Sequence, residues 1–265
     1  MSDGTADSMV TYELRGDVAL IGLNRPEKRN AISDRFVGQI EQAVLRARAE
    51  AKAGVIHGHG NHFCAGLDLA EHVQKTPLEG VEGSGKWHDV FTLLEFGSLP
   101  WFCALHGAVV GGGLELASAA HVRVADESAF FALPEGTRGI FVGGGGSVRT
   151  ARLMGVARMT DMMLTGRSVD AETAERWNLV QYVVPEGQAL ETAVELATKA
   201  AANAAFSNYA VINALPRIQA MSRDDGLFVE SFISSFSATT PEAEERLRAF
   251  LEKRAGKVTA PSRRA

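Results

Sequence analysis

The chain reads as an α/β protein, and three observations predict this. Short apolar runs of strand character alternate with stretches of helical periodicity up to about residue 188. Clusters of glycine, proline and polar residues separate them, and from about Gln188 only the helical period remains. At 265 residues with 46% hydrophobic residues, the chain can bury a substantial core.

In order, Tyr12–Leu14 and Val18–Leu23 flank the turn-like Arg15-Gly16-Asp17 and predict a hairpin. A polar loop rich in breakers follows, Asn24 to Asn30. Ser33 is a candidate N-cap; Phe36, Val37, Ile40, Val44 and Leu45 recur at helical spacing, predicting a helix to about Lys52 that Gly54 ends. Val55-Ile56 begins the next strand, and Phe102–Leu105, His121–Ala125 and Ala129–Leu133 are further short buried strands. The segment from Glu71 to Asp89 shows no regular pattern, and Gly80–Gly85 and the last few residues read as flexible. Leu190, Val194 and Leu196, then 211–220, then Phe228–Phe236, are helical; Thr240-Pro241-Glu242 opens a last helix with a hydroxyl cap and a proline at its first position. These patterns predict a core domain over residues 1–195 and a helical module over 196–265.

The net charge of −5, with lysine and arginine scattered, argues against a nucleic-acid footprint or an anionic-membrane patch. The polar, acid-bearing start Met1–Ser8 is unlike a secretion signal, so a cytoplasmic protein is expected. The apolar stretch Leu99–Ala125 is interrupted by His106, three glycines, Glu115 and His121, and reads as buried core rather than a membrane span. Cys64 and Cys103 are too few for a disulfide framework and fit a reducing compartment, each as a small buried hydrophobe.

Two glutamates carry the chemistry. Glu115 lies in Gly111-Gly-Gly-Leu-Glu-Leu-Ala and Glu135 in Leu133-Pro-Glu-Gly, and an ionisable group in an apolar stretch needs a partner or a task. The glycine triplet before a helix-forming segment makes an anion cradle of unpaired backbone N–H groups. A second candidate cradle is Phe63-Cys-Ala-Gly-Leu-Asp-Leu69. Two N–H groups meeting on one carbonyl oxygen would stabilise the enolate of an activated thioester, each worth on the order of 10²–10³ in rate.

Other features have plainer readings. Gly143–Gly146 is either a helix entry that touches substrate or a simple turn. Gly80–Lys86 has the spacing of a phosphate-binding loop, but Trp87 stands where Ser or Thr is needed on magnesium. His57, His59 and His62 are more often solvated or hydrogen-bonded than metal-binding, and no metal is expected. Met159, Met162 and Met163 read as helix core.

The ordered motifs Asn24-Arg25-Pro26 with Asn30-Ala31, Phe63 to Leu69, Gly107 to Ala117, Leu133-Pro-Glu-Gly136 and Leu164-Thr-Gly-Arg167 resemble the enoyl-CoA hydratase/isomerase (crotonase) superfamily, from about Tyr12 to Lys253. The resemblance implies a crotonase fold, a spiral of ββα units followed by helices that pack between subunits of a homotrimer or a dimer of trimers. It implies oxyanion donors at the N–H groups of Leu67 and Gly112, with Glu115 deprotonating the water that attacks Cβ and Glu135 delivering a proton to Cα. It implies that Lys28, Arg29, Ala65, Leu67 and Asp68 lie along coenzyme A, and that Phe250 and Lys253 belong to an element covering a neighbouring subunit's adenine site. The implied reaction hydrates a trans-2-enoyl-CoA, with no cofactor besides the coenzyme A of the acyl-CoA substrate. A double-bond isomerase or another acyl-CoA thioester conversion on the same scaffold, and a thioester-binding protein without turnover, are the rivals. One departure is Ile140-Phe-Val-Gly-Gly, where hydratases commonly show a proline-containing turn, which makes the acyl pocket near Phe141 atypical.

Overall fold

The computed structural model describes residues 8–72 and 75–254; residues 1–7 of the polar start, and the end of the chain read as flexible, lie outside the described residues. The predicted hairpin forms as β1 (Val10–Arg15) and β2 (Val18–Leu23), turning at Gly16 with φ +61°. Helix α1 (Asp34–Glu50) starts where Ser33 accepts the Phe36 N–H, and along it Val44 is buried whereas Leu45 is exposed. Gly54 does not end this helix, which stops at Ala51. It lies inside β3 (Ala53–Gly58), where a side chain would collide with the Trp101 ring.

After α2 (Leu69–His72), the stretch read as irregular and flexible is instead a long helix, α3 (Pro77–Glu95). Its start is fixed by a capping box in which Thr76 and Glu79 satisfy each other's backbone N–H. Trp87, Val90, Phe91 and Leu94 form its buried stripe. Gly80, Gly83 and Gly85, each costing roughly 1 kcal/mol in a helix relative to alanine, hide the pattern from the sequence.

The chain then spirals. Strand β4 (Trp101–Leu105), strand β5 (Ala108–Val110) and helix α4 (Gly112–Ala119) make one ββα turn; β6 (Val122–Asp126), β7 (Phe130–Ala132) and α5 (Gly146–Met154) make the next. Then come α6 (Val156–Thr165), β8 (Ser168–Asp170), α7 (Ala171–Arg176), β9 (Tyr182–Val184) and α8 (Ala189–Ala201). The larger sheet runs β1-β2-β3-β4-β6-β9, parallel except for β1, and the smaller runs β5-β7-β8.

Both faces of the larger sheet are covered, so successive residues are buried in different cores. Ile21, Ile56 and Cys103 join the cluster containing Phe36, Phe91 and Leu114, whereas Leu20, Val55 and Phe102 join Ala193, Val194 and Ala197 of α8. The apolar stretch 99–125 is thereby divided among β4, β5, α4 and β6, and among the described residues no helix is long and apolar enough to cross a membrane.

The chain divides between Ala202 and Asn203 into two compact units. Helix α8, which a boundary at 195/196 would cut, lies whole in the first. The second unit holds α9 (Ala205–Ile218), α10 (Arg223–Ala238) and α11 (Pro241–Leu251), the last capped by the Thr240 hydroxyl as its sequence predicts. Within it Phe206 meets Phe236, and the Ala205 N–H donates to Glu242.

Asn30 ties together the loops at one end of the sheet. It is fully buried with φ +55°, and its side-chain amide donates to the carbonyls of His59, His62 and Phe63 at 2.8–3.1 Å and accepts from the Arg25 N–H at 2.8 Å. Replacing Asn30 by Ala leaves these groups unsatisfied and removes the polar side chain that lets asparagine tolerate the left-handed region. Urea unfolding is expected to show a loss of about 2–4 kcal/mol. Asn30→Asp keeps the backbone preference but loses the donors, and is expected to be destabilised too; a loss below about 0.5 kcal/mol in both would contradict this role.

Candidate active site

Glu115 sits on α4, a helix whose every residue is buried, and is itself only 3% exposed. Its Oε1 accepts the N–H groups of Gly144 and Gly146, each at 2.8 Å. Burial pushes its pKa up, and the backbone donors of Gly146, Gly144 and Gly143 pull it partly back.

Glu135 follows Pro134, just ahead of a short 3-10 turn over Gly136–Arg138, and is 7% exposed. Its Oε2 is buried with no hydrogen-bond partner among the described residues. Burial is the main cause that raises its pKa to about 7; its own backbone N–H works against this, and the charge of Glu115 adds to it. A β-carbon on Gly111, where φ is +53°, would lie 2.7 Å from Glu135 Oε1, so glycine is required there.

Both carboxyls line one open cavity, together with Leu67, Gly112, Trp87 and Phe141. The two glycine cradles meet at its wall, which the sequence alone could not establish. The Cys64 N–H donates to the Ala108 carbonyl, and the Val110 N–H to the Cys64 carbonyl, zipping the first loop to β5, the strand that leads into α4. On the loop's other side Ile32 N–H donates to Gly66 O, and Asp68 N–H to Ile32 O. The intervening residue, Leu67, points its N–H out of that ladder, and a β-carbon on Gly112 would lie 3.5 Å from it. Gly112 is the first residue of α4, so its N–H precedes the helical hydrogen-bond ladder. The same β-carbon would lie 2.7 Å from the Trp87 ring, which fills the space a side chain would need.

The remaining expected residues are placed as follows. Phe141 is 69% exposed at the cavity wall. Lys28 and Asp68 line a separate open cleft with Arg25 and Arg35, and Ala65 N–H donates to the Arg29 carbonyl beside it. The Asp68 carboxylate is engaged by Arg25 at 2.8 Å, which holds its pKa below the usual carboxylate range. Phe250 and Lys253 lie in the second unit, Phe250 exposed on α11.

His59 pairs with Thr11, His62 accepts from the Ala108 N–H, and among the described residues no group of three candidate ligands could hold a metal ion. The stretch with phosphate-loop spacing is helical, within α3. Met159 and Met162 are buried core, and Met163 packs against it. Sequence reasoning missed the Gly144 and Gly146 donors and the Trp87 wall. Four glycines before a helix were a visible signal for the donors, but not for what they bind.

The sequence model described as enoyl-CoA hydratase/isomerase matches residues 13–260. The chain belongs to this family. It is 33% identical to enoyl-CoA hydratase EchA19 of Mycobacterium tuberculosis, over 92% of this chain and 93% of that one. It is 34% identical to the 2,3-dehydroadipyl-CoA hydratase of Escherichia coli, over 89% and 93%. Among solved structures, one from Rhodopseudomonas palustris, described as an enoyl-CoA hydratase, superposes with a TM-score of 0.90 at 47% identity, covering 93% of this chain and 95% of that one. The enoyl-CoA hydratase of Bacillus anthracis gives 0.87 at 29%, covering 93% and 97%. The fold is that of the crotonases.

The raised pKa of Glu135 has a consequence for stability within this family scaffold. Between the ordinary value of 4.5 and about 7 the native state keeps a proton that the unfolded chain releases, so this group's contribution falls as pH rises through that window. Glu135→Gln removes the dependence. Thermal melts are expected to show the variant gaining on the wild type from pH 5 to pH 8, and a constant offset would contradict the raised value.

Proposed function

We propose that this protein is an enoyl-CoA hydratase, adding water reversibly and syn to a trans-2-enoyl-CoA to give a 3-hydroxyacyl-CoA. The observation that carries the reading is two carboxyls in unlike environments on one cavity, beside two backbone N–H groups outside the local ladders.

The N–H groups of Leu67 and Gly112 hold the thioester oxygen. Charge moves onto that oxygen as water attacks Cβ, and donors fixed in advance stabilise it without reorganising. Glu115 takes the proton of the attacking water, its ionised form favoured by the two amides on Oε1. Glu135, whose buried Oε2 has no such donor, stays protonated to a higher pH and delivers the proton to Cα. Neither step transfers electrons to or from the protein, and coenzyme A enters with the substrate.

Lys28, Arg29, Ala65, Leu67 and Asp68 run along the coenzyme, and Phe141 borders the acyl group. The E. coli relative is named for 2,3-dehydroadipyl-CoA and one from Clostridium acetobutylicum for short chains, so acyl length is a property of the individual member. Residues 203–265 serve oligomerisation in a homotrimer or a dimer of trimers: Phe228, Phe232 and Phe236, four residues apart on α10, expose a continuous apolar stripe. Phe250 and Lys253 reach a neighbour's adenine site in that assembly. A cytoplasmic location is part of this reading, and the buried free thiols Cys64 and Cys103 fit a reducing compartment.

The enoyl-thioester absorbance of crotonyl-CoA follows the reaction directly. Wild type is expected to remove it and to yield 3-hydroxybutyryl-CoA by mass. Glu115→Gln and Glu135→Gln are each expected to lose about 10²–10⁴ in turnover while still binding the thioester. Tight binding with no absorbance loss in any of the three proteins would support a binding protein, and a product of unchanged mass with a shifted double bond would support the isomerase.

A further inference from the structure

Arg149, on the first turn of α5, is a buried cation outside the cavity, its side chain only 8% exposed. Each arm of its guanidinium has a separate partner. Nε donates to Glu95 Oε2 at 2.6 Å, Nη2 to Thr92 Oγ1 at 3.2 Å, and Nη1 to the Gly144 carbonyl at 3.0 Å. Glu95 and Thr92 lie on the last turn of α3, so the arginine joins that helix to the loop entering α5. Gly145, between the two donors to Glu115, has φ +98°, and a side chain there would collide with Nη1. The guanidinium thus occupies the space this glycine leaves open.

We infer that Arg149 is a positioning residue for Glu115: by holding the Gly144 carbonyl, it fixes the loop in the one shape that turns the Gly144 and Gly146 N–H groups onto the same carboxylate oxygen. This rests on the reading of Glu115 as the base. Arg149 makes no bond to Glu115, and its charge is matched by Glu95, so it acts through geometry. A buried ion pair is a poor stabiliser compared with apolar residues of the same volume, so stability alone is a weak reason for a guanidinium here. A fork that reaches a carboxylate, a hydroxyl and a carbonyl at fixed angles meets the need of a four-glycine loop with no side chains of its own.

Without this hold the loop gains freedom and the donors leave Oε1. Burial then acts on Glu115 unopposed, and its pKa rises further. Loss of a hydrogen bond to a charged group corresponds to about one to two pKa units, and each unit above the working pH costs tenfold in ionised base.

The test is the pH profile of crotonyl-CoA hydration from pH 5 to 9 for wild type, Arg149→Met, Arg149→Lys and Glu95→Gln, with Glu115→Gln alongside and thermal melts of each. Arg149→Met is expected to lower kcat about 10- to 100-fold near pH 7 with KM changed less than about threefold, and to move the acid limb up by about one to two units. Arg149→Lys, which retains a donor within reach, restores part of the turnover and part of the limb. Glu95→Gln falls between wild type and Arg149→Met, and with Arg149→Lys it carries the test should Arg149→Met fail to fold. Folded variants with an unmoved acid limb, or a rise in KM alone, would overturn the inference. If Glu115→Gln turns over like wild type, the role of Glu115 itself fails. If it is inactive while the arginine variants keep the wild-type profile, only the positioning role fails.

Discussion

Burying a carboxylate at Glu115 is the constraint on which the rest of the site depends. A charge on a helix whose residues are all buried needs donors brought to it, and side chains long enough to do so would fill the cavity. Backbone amides solve this because they add no volume beyond the chain itself. That solution requires glycine at Gly144 and Gly146, where a β-carbon would press to within 3.2 Å and 2.9 Å of the Glu115 side chain. A run of glycine has little conformational preference, so the loop must be fixed from outside, which places the demand on Arg149 and, behind it, on α3.

The same economy governs the other wall. Leu67 and Gly112 come together because β5 is hydrogen-bonded to the Cys64 loop on one side and feeds α4 on the other. The loop's far side is bonded to residues 29–32, and Asn30 closes the arrangement by engaging three carbonyls of the segment that leads into it. The donors of the proposed oxyanion site are therefore set by strand pairing and by one buried amide. Rigid main chain of this kind is suited to stabilising charge that appears only during reaction, since little free energy is then spent on reordering.

How much of this was legible in the sequence follows from the range of each interaction. The hairpin, α1 with its Ser33 cap and α11 with Thr240-Pro241 were legible because their signals are local. Glu115 and Glu135 stood out because an acid among glycines and apolar residues is costly at any location. Helix α3 was not legible, since glycines at 80, 83 and 85 lower helix propensity, although the Thr76…Glu79 capping box marked its start. Gly54 looked like a helix stop, but its reason is a Trp101 ring from a neighbouring strand, a contact set by sheet register. The Gly143–Gly146 loop was ambiguous for the same reason: its partner, Glu115, lies about thirty residues earlier and meets it only through the packing of α4 on α5.

Two chemically identical side chains thus face unequal costs of ionisation, although burial raises the pKa of both. At Glu115 oriented N–H dipoles oppose the penalty of burial; at Glu135 the second oxygen has no donor and the penalty stands, augmented by the charge of Glu115 itself. The coupling is mutual, because whichever carboxyl ionises first raises the cost for the other. The donors decide which one that is. Placing cations instead would favour ionisation of both and remove the acid, whereas leaving both without donors would favour protonation of both and remove the base. On the proposed reading, an asymmetric supply of backbone amides favours one base beside one acid, and for that reason the position of a glycine loop matters here as much as the identity of the acids.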